Sequence, residues 1–121
     1  MTTELQKLGK KGEEIATDLY LKQNFTLLET NWHYGHLEID VIVQNENTIV
    51  FCEVKTRTST IMGEPENFVT IQKQRNLIKA ANHYVLTKRI EKEVRFDIMA
   101  IVISGERHRI HHIADAFTPK W

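Results

Sequence analysis

Two runs rich in β-branched residues, Glu38-Ile39-Asp40-Val41-Ile42-Val43 and Ile49-Val50-Phe51-Cys52-Glu53-Val54-Lys55, flank the short polar stretch Asn45-Glu46-Asn47-Thr48. Runs of this composition form strands, and so short a connection joins them into an antiparallel hairpin. A loop centred on Glu46 and Asn47 fixes the register, so that Asp40 faces Glu53 and Glu38 faces Lys55. Period-two alternation then puts those four side chains on one face and Ile39, Val41, Val43, Val50, Cys52 and Val54 on the other.

Two directly opposed carboxylates have β-carbons about 5 Å apart and repel one another unless a positive charge lies between them. A divalent cation satisfies that arrangement. Carboxylate oxygens with water suit Mg²⁺ or Mn²⁺, hard ions that also accept phosphate oxygens. Lys55 projects into the same place, where its ammonium can stabilise charge on a phosphate under attack. The pattern equally allows an ordinary Glu38–Lys55 cross-strand ion pair, with Asp40 and Glu53 ending their strands in solvent. Ile42 and Phe51 share the face of Asp40 and Glu53, which implies a sheet covered on both sides, where carboxylates are costly without a partner.

The rest of the chain supplies the surrounding architecture. Thr3 and Gln6 form a capping-box pattern ahead of Leu5, Leu8, Ile15, Ala16 and Leu19, so a first amphipathic helix runs to about Gln23. Gly9 and Gly12 either admit a close neighbour or mark a helix that begins near Lys11. A strand follows from Thr26 to Trp32. Beyond the hairpin, residues from Thr56 to Asn67 lack periodicity and read as a long loop. A second amphipathic helix spans Thr70 to Lys88, and strands run from Arg95 to Ile103 and His108 to Ile113. The order helix, three strands, helix, two strands predicts one α/β domain over residues 1–121, a mixed central sheet flanked by helices.

Lysine and arginine total 16 and aspartate and glutamate 16, so no global basic field announces a polyanion partner. A nucleic-acid signal has to be local. Lys10 and Lys11 precede Glu13, Arg57 follows Lys55, and Lys73, Arg75 and Lys79 lie on the second helix. Lys11, Arg57, Lys73, Arg75 and Lys79 are the candidate phosphate contacts. The lone cysteine, Cys52, reads as a core residue in a reducing compartment. The N-terminus has no signal-peptide pattern and no apolar run approaches membrane-spanning length, so the expectation is a cytoplasmic protein without a membrane. His33 with His36, and His108 with His111 and His112, invite a zinc reading, but a spacing of three on a strand sends side chains to opposite faces. Trp32 and Tyr34 fit either base stacking or packing.

Asp40 followed by Glu53-Val54-Lys55 on the next strand, with a glutamate on a preceding helix, resembles the PD-(D/E)xK nucleases of the restriction-endonuclease-like superfamily. More closely, the chain resembles the YraN family, related to archaeal Holliday-junction resolvases. That likeness runs from Lys11-Gly12-Glu13-Glu14-Ile15-Ala16 through Glu38-Ile39-Asp40 and Val50 to Arg57, to Arg95-Phe96-Asp97 and Ala116-Phe117. It implies a restriction-endonuclease-like core, DNA as partner with structured or branched DNA preferred, and a homodimer. It also implies Asp40, Glu53 and Glu13 as Mg²⁺ or Mn²⁺ ligands and Lys55 as the catalytic lysine, with Lys73 matching a lysine recurrent at the start of the second helix. Helix geometry favours Glu13 over Glu14, because Glu13 flanks the apolar stripe and Glu14 lies opposite it. The family's Gly-Glu-Ile-Asp carries Leu37 in place of its glycine here, which alters how the second strand approaches the site. A non-catalytic nucleic-acid-binding or adaptor module that keeps this fold is the alternative, and a purely structural interaction domain is a third reading.

Overall fold

The computed structural model describes residues 2–58 and 69–119. Its elements run α1 (Glu4–Lys22), β1 (Thr26–Tyr34), β2 (Leu37–Gln44), β3 (Thr48–Arg57), α2 (Ile71–Lys88), β4 (Glu93–Ser104) and β5 (Arg107–Ile113). The expected mixed α/β sheet between two helices is what forms. Strands lie in the spatial order β1-β2-β3-β4-β5, with β3 and β4 parallel and the other neighbours antiparallel. The parallel pair needs a crossover, and α2 lies within that connection. Among the described residues no helix is long and apolar enough to cross a membrane.

The Thr3 hydroxyl accepts the Gln6 amide while Gln6 Oε1 accepts the Thr3 amide, closing the capping box at the start of α1. The helix therefore begins at Glu4, not near Lys11. At the start of α2 the Thr70 hydroxyl accepts the Lys73 amide at 3.2 Å. Each helix covers one face of the sheet. Ala16 and Tyr20 of α1 pack on Val41, Val43, Val50, Cys52, Met99 and Ile101, whereas Leu77, Ala81 and Tyr84 of α2 pack on Ile39, Ile42, Phe51 and Phe96.

The β2–β3 register is the one the loop dictates: Val41 pairs with Cys52, Ile42 with Phe51, Val43 with Val50 and Gln44 with Ile49. Asn45 Oδ1 accepts the amides of Asn47 and Thr48, an Asx turn that fixes the connection. Ile39 is the exception to the expected face pattern. It sits with Leu37 and Ile42 beneath α2, not with Val41 and Val43 beneath α1. Strict alternation thus breaks at Asp40, opposite which β1 carries Asn31 at φ 50. Leu37, buried at the start of β2, follows the tight turn that Gly35 makes at φ 60.

Gly12 is where α1 meets the sheet, since a β-carbon there would collide with the Thr56 hydroxyl. Nothing lies near the corresponding atom of Gly9. Gly12→Ala is therefore expected to lower stability by about 1–3 kcal/mol, as overpacking does. Adding Thr56→Ala should restore most of it, checked by thermal melts of the single and double variants. Thr56 and Arg57, expected in a loop, are the last residues of β3, paired with Ile101 and Val102. Beyond Thr58 the rest of that expected loop, 59–67, lies outside the described residues.

Candidate metal and phosphodiester site

The carboxylates gather where β2 leaves β3. Registered pairs between the two strands stop at Val41 and Cys52, although β3 continues beside β4 as far as Arg57. At this fork Asp40 Oδ2 accepts the backbone amide of Val54 at 2.8 Å, so a side chain takes the place of the next ladder bond. That bond fixes the carboxylate between the strands. Glu13 approaches from α1, half-buried as its place on the flank of the apolar stripe predicts, whereas Glu14 is exposed. Asn31 Nδ2 donates to Glu13 Oε1 at 2.9 Å and holds it there.

One oxygen from each of Glu13, Glu38 and Asp40 lies within 4.8 Å of the others. Among the described residues this is the one group of converging ligand side chains, and no histidine belongs to it. Glu38 does not pair with Lys55 as an unbroken ladder would require. Its Oε2 lies 3.4 Å from His33 Nε2 instead. Glu53 adjoins the cluster beside Asp40, and Lys55 Nζ stands 3.9 Å from Glu53 Oε1.

Proton affinities reflect this crowding. Burial pushes the Asp40 carboxyl well above the usual range, and the charge of Glu53 adds to it. Glu13 is raised by burial against the opposing bond from Asn31, with further contributions from Glu38 and Glu53. Glu53 is also raised by burial, offset in part by Lys55, a carboxyl hydrogen bond with Asp40, and Lys73. Lys55 is lowered by burial and by the neighbouring Lys73. A cation at the cluster would relieve each carboxylate shift at once.

Of the expected phosphate contacts, Lys73 reaches the site: it lines the depression that holds His36, Glu38, Glu53 and Asn76. Arg57 lies two residues beyond Lys55 on the same strand face. Arg75 and Lys79 are turned about 200–240° round α2 from Lys73 and line a groove with Ile78 and Phe117 instead. Lys11 lies near Thr58, past the end of β3. Trp32 and Tyr34 pack on α2, Trp32 edge-on to Tyr84 at 5.1 Å and Tyr34 stacked on His83 at 3.8 Å.

Sequence reasoning missed Asn31 and a buried network centred on Asp97. The Asn31 signal was faint: a lone asparagine in a strand, a residue type that tolerates positive φ. Asp97 is fully buried in β4. Tyr20 donates to it at 2.7 Å, Arg95 Nε and Nη2 at 2.9 Å each, and the Asp115 amide at 3.0 Å, while His112 Nε2 lies 2.8 Å away. Burial alone would raise its pKa, but the hydrogen bonds from His112, Arg95, Tyr20 and Asp115 outweigh it and hold the carboxyl at about 2. Cys52 is buried, and burial raises its thiol, consistent with a core role.

Comparison with known proteins matches residues 12–101 to the family described as Uncharacterised protein family UPF0102. A UPF0102 protein of Flavobacterium psychrophilum is 43% identical over 110 residues, covering 91% of this chain and 92% of the relative. One of Christiangramia forsetii is 42% identical, covering 94% and 96%. Another, of Syntrophomonas wolfei, is 41% identical, covering 93% and 98%. The matched segment contains the whole carboxylate fork together with Lys55, Lys73 and Asp97. The chain belongs to the UPF0102 family, the YraN-like group that its sequence resembles.

Proposed function

We propose that this protein is a Mg²⁺- or Mn²⁺-dependent endonuclease of the PD-(D/E)xK type, hydrolysing phosphodiester bonds in structured or branched DNA. The observation that carries the reading is the convergence of Glu13, Glu38 and Asp40 at the fork, with Glu53 and Lys55 beside them. The donor set fits the ion: every converging ligand is a carboxylate oxygen, and the half-buried Asp40 is strained by like charge. Asp40, Glu13 and Glu53 would hold the metal, with Glu38 at the same cluster. When bound, it would lower the pKa of a water and accept phosphate oxygens.

The chain's own groups do the rest. Val54 fixes Asp40 through its amide, and Asn31 aims Glu13. In hydrolysis a water oxygen forms a bond to phosphorus, one P–O ester bond breaks, and the leaving oxygen takes up a proton. Lys55 stabilises the charge on the attacked phosphate. Lys73, near Lys55, supports the adjacent phosphate. Cutting two strands of a junction symmetrically needs two sites about a twofold axis, so a homodimer in the cytoplasm belongs to this reading.

Asn31→Gly keeps the backbone at positive φ and deletes the bond to Glu13. It is expected to weaken Mn²⁺ affinity about tenfold, as loss of an outer-shell partner does, read as a smaller Mn²⁺-induced rise in melting temperature. The function itself is tested on a labelled four-way junction and a matched linear duplex, with Mn²⁺, Mg²⁺ or EDTA. Metal-dependent cutting supports the nuclease. Binding without cutting points to the adaptor module, and neither binding nor a metal effect on the melt points to an interaction domain.

A further inference from the structure

Arg75 and Lys79, the expected phosphate contacts on α2 that the fork leaves aside, face a furrow between α2 and the segment after β5. The chain builds that furrow by turning back. The Ala116 amide donates to the Phe96 carbonyl at 2.7 Å, and the Phe117 ring stacks on Phe96 at 5.2 Å. The segment is thereby fixed as a wall opposite the helix. Between them lies a depression of about 790 Å³, apolar at Ile78 and Phe117 and polar at Arg75, Lys79 and Asn82. A second depression, of about 250 Å³, adjoins it through Ile78 and Asn82 and is closed by Val85, Val94, Phe96 and Pro119.

The two parts differ in charge. Among the described residues the larger is lined by two cations and no acid, and the smaller by no charged group at all. Arg75 and Lys79 stand four residues apart, one above the other on the helix, where like charges repel. Both are exposed, and no ion pair or hydrogen bond among the described residues engages either. At the uncharged end Val94 is 42% exposed, although it belongs to a strand of the central sheet. A DNA backbone would satisfy the cations but has no apolar group for the adjoining slot. An acidic peptide serves both ends: its carboxylates pair with Arg75 and Lys79, and a following apolar side chain fills the slot as an anchor.

We infer that this furrow is the docking site for a partner protein that presents an acidic peptide segment ending in apolar or aromatic residues. Arg75 and Lys79 hold the acidic part, the Asn82 amide bonds the peptide backbone where the two depressions meet, and the slot at Val94 takes the apolar side chain. The inference does not rest on the chemistry of the fork. One helix serves both places, since α2 turns Lys73 to the carboxylates and Arg75 and Lys79 to the furrow.

The test is fluorescence anisotropy of a labelled synthetic peptide, a run of aspartates followed by leucine and phenylalanine, titrated with the full chain over a range of NaCl. Control peptides carry lysines for the aspartates or serines for the apolar pair, and a labelled DNA duplex is titrated in parallel. Proteins compared are wild type, Arg75→Gln with Lys79→Gln, Asn82→Glu and Val94→Ser, all at exposed positions. Wild type should bind the acidic-apolar peptide, more weakly as salt rises, and neither control comparably. The double variant should bind about tenfold more weakly, as loss of two exposed ion pairs does. Asn82→Glu, which sets a negative charge where the depressions meet, should cost about as much, and Val94→Ser about threefold or more. The inference is overturned if the acidic-apolar peptide binds no better than its controls, or if all three variants bind it as wild type does. Without peptide binding, loss of duplex binding in the double variant would assign the furrow to DNA, and a dimer dissociated by Asn82→Glu would assign it to a second copy. Peptide binding seen only after removal of Lys120 and Trp121 would assign it to the chain's own terminus; each of these also overturns the partner reading.

Discussion

Replacing Asp97 by asparagine is expected to cost about 3–5 kcal/mol, a large part of the 5–15 kcal/mol that holds a domain of this size together. The carboxylate accepts from Tyr20, from Nε and Nη2 of Arg95 and from the Asp115 amide, and His112 completes its shell. An asparagine offers one acceptor oxygen, and its amide group would face the Arg95 donors. Those contacts join α1, β4, β5 and the segment after β5, so the loss spreads across the fold. A melt should fall by more than about 10 °C, and a drop of only a few degrees would show the network to be peripheral. The same group sets acid stability. Its folded pKa of about 2 lies below the unfolded value of 3.8. Its contribution, about 2.4 kcal/mol by linkage, is complete above the unfolded pKa and vanishes as pH falls towards 2.

Asp40→Asn should act in the opposite sense on the metal-free protein. Burial and Glu53 raise the Asp40 carboxyl, so its charged form destabilises the fold at neutral pH, and the penalty fades as pH falls through the raised folded value. Asparagine can still accept the Val54 amide, while the repulsion disappears. The variant is expected to melt higher than wild type without metal, by an amount equivalent to about 1 kcal/mol or more, and to lose the rise that Mn²⁺ gives wild type. Cleavage should drop at least about 100-fold. A residue whose removal stabilises the chain and silences its chemistry is one kept for function. An Asp40→Asn protein less stable than wild type, or one still stabilised by Mn²⁺, would place the metal elsewhere.

The hairpin was legible because its information is local. Asn45 ties the turn with its own side chain, and β-branched residues on both strands leave one register that buries them. Glu13 was singled out by the family resemblance, and helix spacing, also local, told it apart from Glu14. Ile39 and the Glu38–Lys55 pair were misjudged because alternation was carried through Asp40. There the strand changes its face, beside Asn31 at positive φ in a neighbouring strand. Asp97 was visible only as part of an Arg-Phe-Asp triplet. Arg95 lies two residues away, but Tyr20, His112 and Asp115 lie 77, 15 and 18 away, so no spacing rule assembles the network. The parallel β3–β4 pairing across α2 is likewise a long-range contact that binary patterning does not encode.

The most direct test of a metal-dependent nuclease at the fork is cleavage of a labelled four-way junction in Mn²⁺ at one salt concentration by wild type, Asp40→Asn and Lys55→Ala. The site described above predicts cutting by wild type that both substitutions abolish while the junction is still bound. Cutting that survives in either variant, or binding without cutting in all three, would contradict it.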